Sequence, residues 1–300
     1  MIRDSLDEQM HPNISIIIPS YNRVEVLRRT LKAIDRQNFE LEDVEVLVMD
    51  DASSDDYGEL VKEISNSAKF LLRYFRNNKN IGQGLTRNKA IDLAEGEYVF
   101  FIGDDTVPNF DFLKEHMRIH ENNSDVAVLG KVVWADEVRN KFMNFIEPIQ
   151  FHYQTIRDPS NVSLHFYTSN ISLNSTWLKE ERYSSAFKNY GFEDLELGYR
   201  LEKNGLRVIY NPDAIVHHVH SYDLDSFCER MYRTGLSAPI FASLHPEIKR
   251  RYIPLGWKIV KHITSIFARY PIIGVRAYWY ARIVNQYLQG VERSMSQEDK

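Results

Sequence analysis

The sequence predicts an α/β fold: a mostly parallel sheet flanked by helices, followed by a helical C-terminal extension. Three observations predict it. Short β-branched runs alternate with amphipathic segments through the first third of the 300 residues. A polar, turn-forming cluster follows each of those runs. The charge balance then changes sign near residue 224: residues 1–224 hold 25 Lys and Arg against 36 Asp and Glu, whereas residues 225–300 hold 12 against 6. The expected organisation is one α/β domain over 1–222 and a basic, amphipathic helical region over 223–300.

Four strands are expected first. "ISIIIP" (14–19) and "VEVLVMDD" (44–51) are β-branched and too short for helices, and "LLRYFRN" (71–77) and "EYVFFIGDD" (97–105) continue the series. Between them, Leu27, Thr30, Leu31 and Ile34 share a helical face, as do Leu60, Val61 and Ile64. Ser53, Ser54 and Asp55 offer N-caps to the second helix, and Gly96 a C-cap to a third that begins near Leu85. Further on, "VAVLGKVVW" (126–134), "FYTSNISL" (166–173) and "LRVIYNP" (206–212) read as strands, and "GFEDLELGYRLEKNG" as a helix stopped by Gly205. In the tail, Leu224, Phe227 and Met231 share one face, and Ile259, Val260, Ile263, Ile266 and Phe267 another.

Composition narrows the class. At 43% hydrophobic and 12% aromatic residues the chain can build a substantial core. The single cysteine, Cys228, excludes an internal disulfide framework. "MIRDSLDEQMHPN" has no apolar h-region and basic residues interrupt every apolar run of the tail, so neither a signal peptide nor a transmembrane span is expected, and the expected location is cytoplasmic. No glycine precedes Gly58, which excludes a G-x-G-x-x-G turn after the first strand, and "NIGQGLTRN" lacks the G-K-[ST] of a P-loop. A nucleic-acid partner is not expected.

In a doubly wound sheet ligands bind beyond the carboxyl ends of the strands. "PSYN", "DDASSDD", "NNKNIGQG" and "GDDT" all project onto that rim. Adjacent Asp104 and Asp105 repel unless a cation sits near them, and Mg²⁺ or Mn²⁺ suits such oxygen ligands. Taken alone, the pair reads first as a strand terminator and a cap for a helix beginning near Asn109. Asp50 and Asp51 form a second pair on the same rim; acids facing a nucleotide would divide their labour between base or ribose and metal, and an Asx-rich turn is the alternative. Tyr21 and Asn22 add a ring and an amide. Gly82 and Gly84 allow close passage of a diphosphate, with Arg87 as a fixed cation, or make a plain loop. Glu193 and Asp194 open a helix, where carboxylates cap, or where one accepts the proton of an attacking hydroxyl. His218 and His220 share one face of a strand, opposite His217, and read as structural or as contacts for a metal or diphosphate.

Together these blocks, in this order, resemble the family 2 glycosyltransferases, inverting enzymes with a GT-A fold that use nucleotide-sugar donors: "SIIIPSYNR", "VLVMDDASSDD", "NKNIGQGLTRNKAIDLAEGEYVFFIGDDTVP", "GFEDLELGYRL" and "AIVHHVHS". The resemblance runs from about Ile14 to His220. It implies that Pro19, Tyr21 and Asn22 border the base, that Asp51 binds base edge or ribose, and that Gly82 and Arg87 lie near the donor. Asp105 would hold a divalent metal, Mn²⁺ or Mg²⁺, with Asp104 beside it near ribose and phosphates and His218 near the diphosphate or metal. Gly103 stands where many members have a further aspartate, leaving one fewer carboxylate. Asp194 would be the catalytic base and Glu193 would shape the acceptor side. The reaction implied is transfer from a nucleotide-diphosphate sugar to a hydroxyl of a glycan or lipid-linked glycan, as in polysaccharide biosynthesis.

Two further readings compete. A non-catalytic nucleotide-sugar-binding protein of the same fold is opposed by Asp194, and a nucleotidyltransferase by the absence of a glycine-rich basic loop after the first strand. For the tail, an acid-free basic stretch with Trp257 and Trp279 suggests peripheral contact with an anionic membrane on its cytoplasmic face. A helical subdomain packed on the rest of the chain, or a homodimer partner, is the alternative.

Overall fold

The computed structural model describes residues 13–123, 125–188, 190–269 and 274–298. Residues 14–102 form the expected alternation: β1 (Ile14–Ser20), α1 (Val24–Ile34), β2 (Val44–Asp50), α2 (Gly58–Ser65), β3 (Leu71–Arg76), α3 (Gln83–Leu93) and β4 (Tyr98–Ile102). All pairings among β1 to β4 are parallel, with β1 between β2 and β4. Alternate residues of each strand serve opposite faces. Ile14, Ile16, Ile18, Val46 and Val48 join Leu27 of α1 and Leu60 of α2, whereas Ile17, Leu47 and Met49 join Ala90 and Ile91 of α3.

Beyond β4 come β5 (Thr106–Pro108), α4 (Phe112–His120), β6 (Val126–Trp134), α5 (Lys141–Phe151), β7 (Asn170–Asn174), α6 (Glu193–Lys203) and β8 (Arg207–His218). The eight strands order as β3-β2-β1-β4-β7-β6-β8-β5. Of the pairings, β4 with β7, β6 with β7 and β5 with β8 are antiparallel and β6 with β8 is parallel, so the sheet is mixed, with its parallel half on the β1 side.

Local readings needed correction where a tertiary partner intervened. Gly96 does not cap α3, whose C-cap is Ala94; a Cβ at Gly96 would meet the backbone nitrogen of Ser15 2.5 Å away, so the residue allows close approach to β1. Ser53, Ser54 and Asp55 do not cap α2, whose N-cap is Tyr57. They bind across to the β1 loop instead: Asn22 N donates to Ser53 Oγ at 2.9 Å and Ser54 N donates to Asn22 Oδ1 at 2.6 Å. Gly205 does follow α6 with φ +103°, as a C′ residue should. The expected strand 166–173 starts only at Asn170, because Asn170 N donates to the Tyr167 carbonyl and closes a turn there.

The C-terminal region is helical: α7 (Leu224–Leu244), α8 (Lys249–Tyr252), α9 (Trp257–Phe267) and α10 (Val275–Glu298). α7 and α10 pack along each other, and Phe241, Ala238 and Val291 share a core with Phe187 and Phe192 of the preceding region. Trp257 packs against this core and Trp279 lies on Phe142 and Phe145, so neither tryptophan stands on a free face. No described helix is long and apolar enough to cross a membrane.

Candidate active site

A cavity of about 900 Å³ opens at the carboxyl rim of β1 and β4, within the size range of ligand pockets. Pro19, Arg87, Asp104, Asp105, Glu193, Asp194 and His218 all line it, bringing together residues separated by two hundred positions. The tail supplies much of the remaining wall, through Arg230 and Thr234 of α7, Tyr252 of α8 and Tyr280 and Tyr287 of α10.

The acid pair and His218 meet because β5 pairs antiparallel with the end of β8 in the register Thr106↔His218, reinforced by Val219 N donating to the Asp105 carbonyl at 3.0 Å. His218 Nε2 then lies 3.8 Å from Asp105 Oδ2. Ser20 Oγ donates to Asp104 Oδ2 at 2.8 Å, tying the pair to the end of β1. Arg23 Nη1 bridges both carboxylates, 2.6 Å from Asp105 and 3.3 Å from Asp104. Burial and the charge of Asp105 push the Asp104 carboxyl up to about 7. Burial works against Asp105 too, but the positive charges of His218 and Arg23 outweigh it and draw that carboxyl below the usual range. Burial draws His218 below the usual imidazole range while Asp105 opposes that shift, and Arg23 is the permanent positive charge beside the pair.

The donor set fits a divalent cation. One carboxylate and one imidazole nitrogen converge, and no three His, Cys, Asp or Glu side chains among the described residues are placed to hold a metal together, so a cation here would complete its shell from water and a ligand's phosphates. His220 N donates to His218 Nδ1 at 3.3 Å, which orients the ring.

On the opposite wall α6 presents Glu193 and Asp194 in its first turn. Gly191 (φ +101°) and Phe192 (φ +71°) both sit in left-handed backbone, and Phe192 packs on Phe241, which aims the turn into the cavity. Asp194 is partly exposed to the cavity and accepts from Leu195 N at 2.9 Å; Glu193 is buried. Burial raises both carboxyls, Glu193 to about 7 with the added push of Asp194, while Arg87 draws the other way. Buried Arg87 has its Cζ 5.8 Å from the Tyr183 ring centre, yet its Nε and Nη1 have no partner, nor has Glu193 Oε2. Buried polar atoms without partners are expensive, and these three stand beside the cavity.

The remaining residues expected on the rim support its loops. Asp51 accepts from Asn77 Nδ2, Ile81 N and Gly82 N, each at 2.9 Å, and so fixes the loop before α3. Asn22 is spent on Ser54, Tyr21 is exposed, and neither they nor Asp51 nor Gly82 is among the cavity's wall residues. Left-handed backbone at Asn22, Ala52 and Gly82 marks the turns after β1, β2 and β3.

Two arginines escaped the sequence reading. Arg23 directly follows "PSYN", and a cation beside two acid pairs was a usable signal. Arg230 lies within α7 with no motif around it; its Cζ is 4.2 Å from the Tyr190 ring centre and its Nη1 donates to Tyr222 Oη at 3.1 Å.

This sheet order, with paired acids at the β4 end and a helix-borne acid across the cavity, defines a glycosyltransferase of the GT-A fold. More closely, the chain belongs to glycosyl transferase family 2, a family of sugar-transferring enzymes, whose family model matches residues 15–181. That match ends before α6, so Asp194 and His218 lie outside it. The chain is 24% identical to chondroitin synthase of Escherichia coli over 88% of its own length and 43% of the relative's. It is 33% identical to the poly(ribitol-phosphate) beta-N-acetylglucosaminyltransferase TarS of Staphylococcus aureus over 38% of its length and 20% of the relative's. The chain thus spans less than two thirds of the curated relatives it matches. Among solved structures, the mannosyltransferase PcManGT from Pyrobaculum calidifontis in complex with GDP-Man and Mn²⁺ superposes with a TM-score of 0.68 at 15% identity, covering 96% of this chain and 88% of that one. S. aureus TarS 1–349 in complex with UDP gives 0.57 at 19% identity, covering 95% and 92%.

Proposed function

We propose that the chain is an inverting glycosyltransferase that moves a sugar from a nucleoside diphosphate to a hydroxyl of a glycan or lipid-linked glycan, in polysaccharide biosynthesis on the cytoplasmic side of a membrane. The observation that carries the reading is that one cavity is lined by both the Asp104–Asp105–His218 group and the Glu193–Asp194 turn. The relatives' names support the donor class, since TarS was solved with UDP and PcManGT with GDP-Man.

In this reading the donor lies over Pro19, with Asp51 and its loop bordering the nucleoside. Arg87 offers its free guanidinium nitrogens to the diphosphate or sugar, and Glu193 accepts a hydroxyl hydrogen bond. Asp105 and His218 would hold Mn²⁺ or Mg²⁺, which when bound supplies Lewis-acid stabilisation of the departing diphosphate. Asp194 takes the proton of the acceptor hydroxyl as that oxygen forms its bond to the anomeric carbon. The bond from that carbon to the phosphate oxygen breaks, and the electron pair leaves on the nucleoside diphosphate. A single in-line displacement inverts the carbon. Tyr252 and Tyr287 of the tail narrow the cavity and exclude water, so the basic region over 223–300 acts as part of the catalytic body.

The test is a panel of UDP-, GDP- and dTDP-sugars with Mn²⁺, scored for transfer or slow hydrolysis. Turnover that disappears in Asp194→Asn supports the assignment. Turnover unchanged in that variant removes the base, and tight donor binding without any turnover leaves a binding protein.

A further inference from the structure

Helix α9 is turned inside out relative to an ordinary surface helix. Beyond Trp257, which anchors its first turn on the core, its inward side is polar: Thr264 is buried, Asn285 Nδ2 of α10 donates to the Lys261 carbonyl at 3.0 Å, and Lys261 pairs with Glu292. Its outward side is aliphatic, with Ile259, Ile263 and Ile266 exposed by 67%, 47% and 54%, and Val260 and Phe267 exposed beside them. Leu255, just before the helix, is 86% exposed. A surface helix normally buries its apolar stripe, and a contiguous exposed one marks a surface that binds something.

The surrounding charge says what. Lys249, Arg250 and Arg251 precede the helix, Lys258 lies on it, and Arg269 and Arg276 follow it, all exposed, with no acidic residue anywhere between Glu247 and Glu292. We propose that α9 lies flat in the surface of an anionic bilayer, its isoleucines in the acyl boundary and its flanking lysines and arginines on the headgroup phosphates. A second copy is a poorer occupant, because a two-fold contact would set this uncompensated positive patch against itself. Tyr280 of α10 is exposed and also lines the cavity. The inference stands apart from the transfer reaction, since it needs no turnover.

The full chain is sedimented, without nucleotide, with vesicles of phosphatidylcholine alone and of phosphatidylcholine with phosphatidylglycerol, at low and high salt. Binding is expected to the anionic vesicles and to weaken with salt. An Ile263→Asp/Ile266→Asp double variant should lower the partition coefficient by tenfold or more, at roughly tenfold per aliphatic side chain fully buried. Its circular dichroism and thermal unfolding should stay those of the parent, because both positions are exposed. A Lys258→Glu/Arg269→Glu variant should lose binding to the anionic vesicles. Absence of salt-sensitive sedimentation, or equal binding by the isoleucine variant, overturns the proposal. So does a dimer, seen by light scattering, that the isoleucine variant dissociates, because the face would then belong to a second copy.

Discussion

Arg23 Nη1 lies 2.6 Å from Asp105 Oδ2, so an internal cation occupies the carboxylate to which the proposed function assigns a metal. Two positive charges cannot share that oxygen without cost, and Arg23, only partly buried, is the one able to swing away. Arg23→Ala should therefore tighten Mn²⁺ binding, by about tenfold if one charge-assisted hydrogen bond is what the ion displaces. Titration calorimetry with Mn²⁺ in the absence of nucleotide reads this directly. Equal affinity in the two proteins would mean that Arg23 does not guard the site.

Asp194 can take a proton only when ionised, and burial raises its carboxyl above the ordinary aspartate range while Arg87 pulls it back down. Activity should therefore fall as pH drops through that raised value. Arg87→Met removes the restraining positive charge, so the acidic limb should move to higher pH, with a rise in the donor's KM from the lost guanidinium. Asp194→Asn should cost about 10²- to 10⁴-fold in kcat, the usual worth of a general base. A pH profile of kcat for the Arg87 variant whose acidic limb does not shift upward would break the link between these two residues.

Glu193 makes a separate prediction about stability. Its carboxyl sits at about 7 in the folded protein against 4.5 for an ordinary glutamate, so between those values the folded state holds a proton that the unfolded state has released. Folding stability contributed by this group is present below pH 4.5 and declines as pH rises to about 7, by an amount on the order of 3 kcal/mol. Glu193→Gln cannot ionise and should unfold at higher temperature than the parent at pH 8, with little difference near pH 5. Melting curves at the two pH values decide it; a gap of the same size at both would mean that the ionisation is not what costs stability.

Much of this was legible because β-branched runs and the polar clusters behind them carry period and position on the chain. The β1 to β4 rim followed from "ISIIIP", "VEVLVMDD", "LLRYFRN" and "EYVFFIGDD" alone. β5 was not legible, since three residues have no period, yet it is β5 that sets His218 beside Asp105. The cap readings at Gly96 and Ser53 to Asp55 failed because a glycine or a serine signals its local preference, while a neighbouring strand or loop decided its use. For α9 the apolar stripe was visible in the sequence, but periodicity names a face without saying whether that face meets a core or solvent. Arg230 enters the cavity from the tail, which no local pattern reports.

The tail's place in the cavity wall depends on how closely α7 and α10 cross. Gly235 and Gly290 face each other at the crossing, where a Cβ on Gly235 would collide with the Tyr287 carbonyl and one on Gly290 with the Tyr232 carbonyl. Both obstacles are backbone atoms, so neither can rotate aside as a side chain would; the helices must separate. Tyr287 lines the cavity on one side of this crossing and Thr234 on the other, so separation would also widen the site. Gly235→Ala and Gly290→Ala are each expected to destabilise the protein by about 1–3 kcal/mol, the cost of overpacking, despite alanine's better helix propensity. The same variants should raise the acceptor's KM more than the donor's, because Arg87, Asp105 and His218 belong to the sheet and α3 and do not move with the tail. Urea unfolding and steady-state kinetics with each substrate varied in turn measure both effects, and a stabilised Gly235→Ala protein would show that the helices do not meet as described.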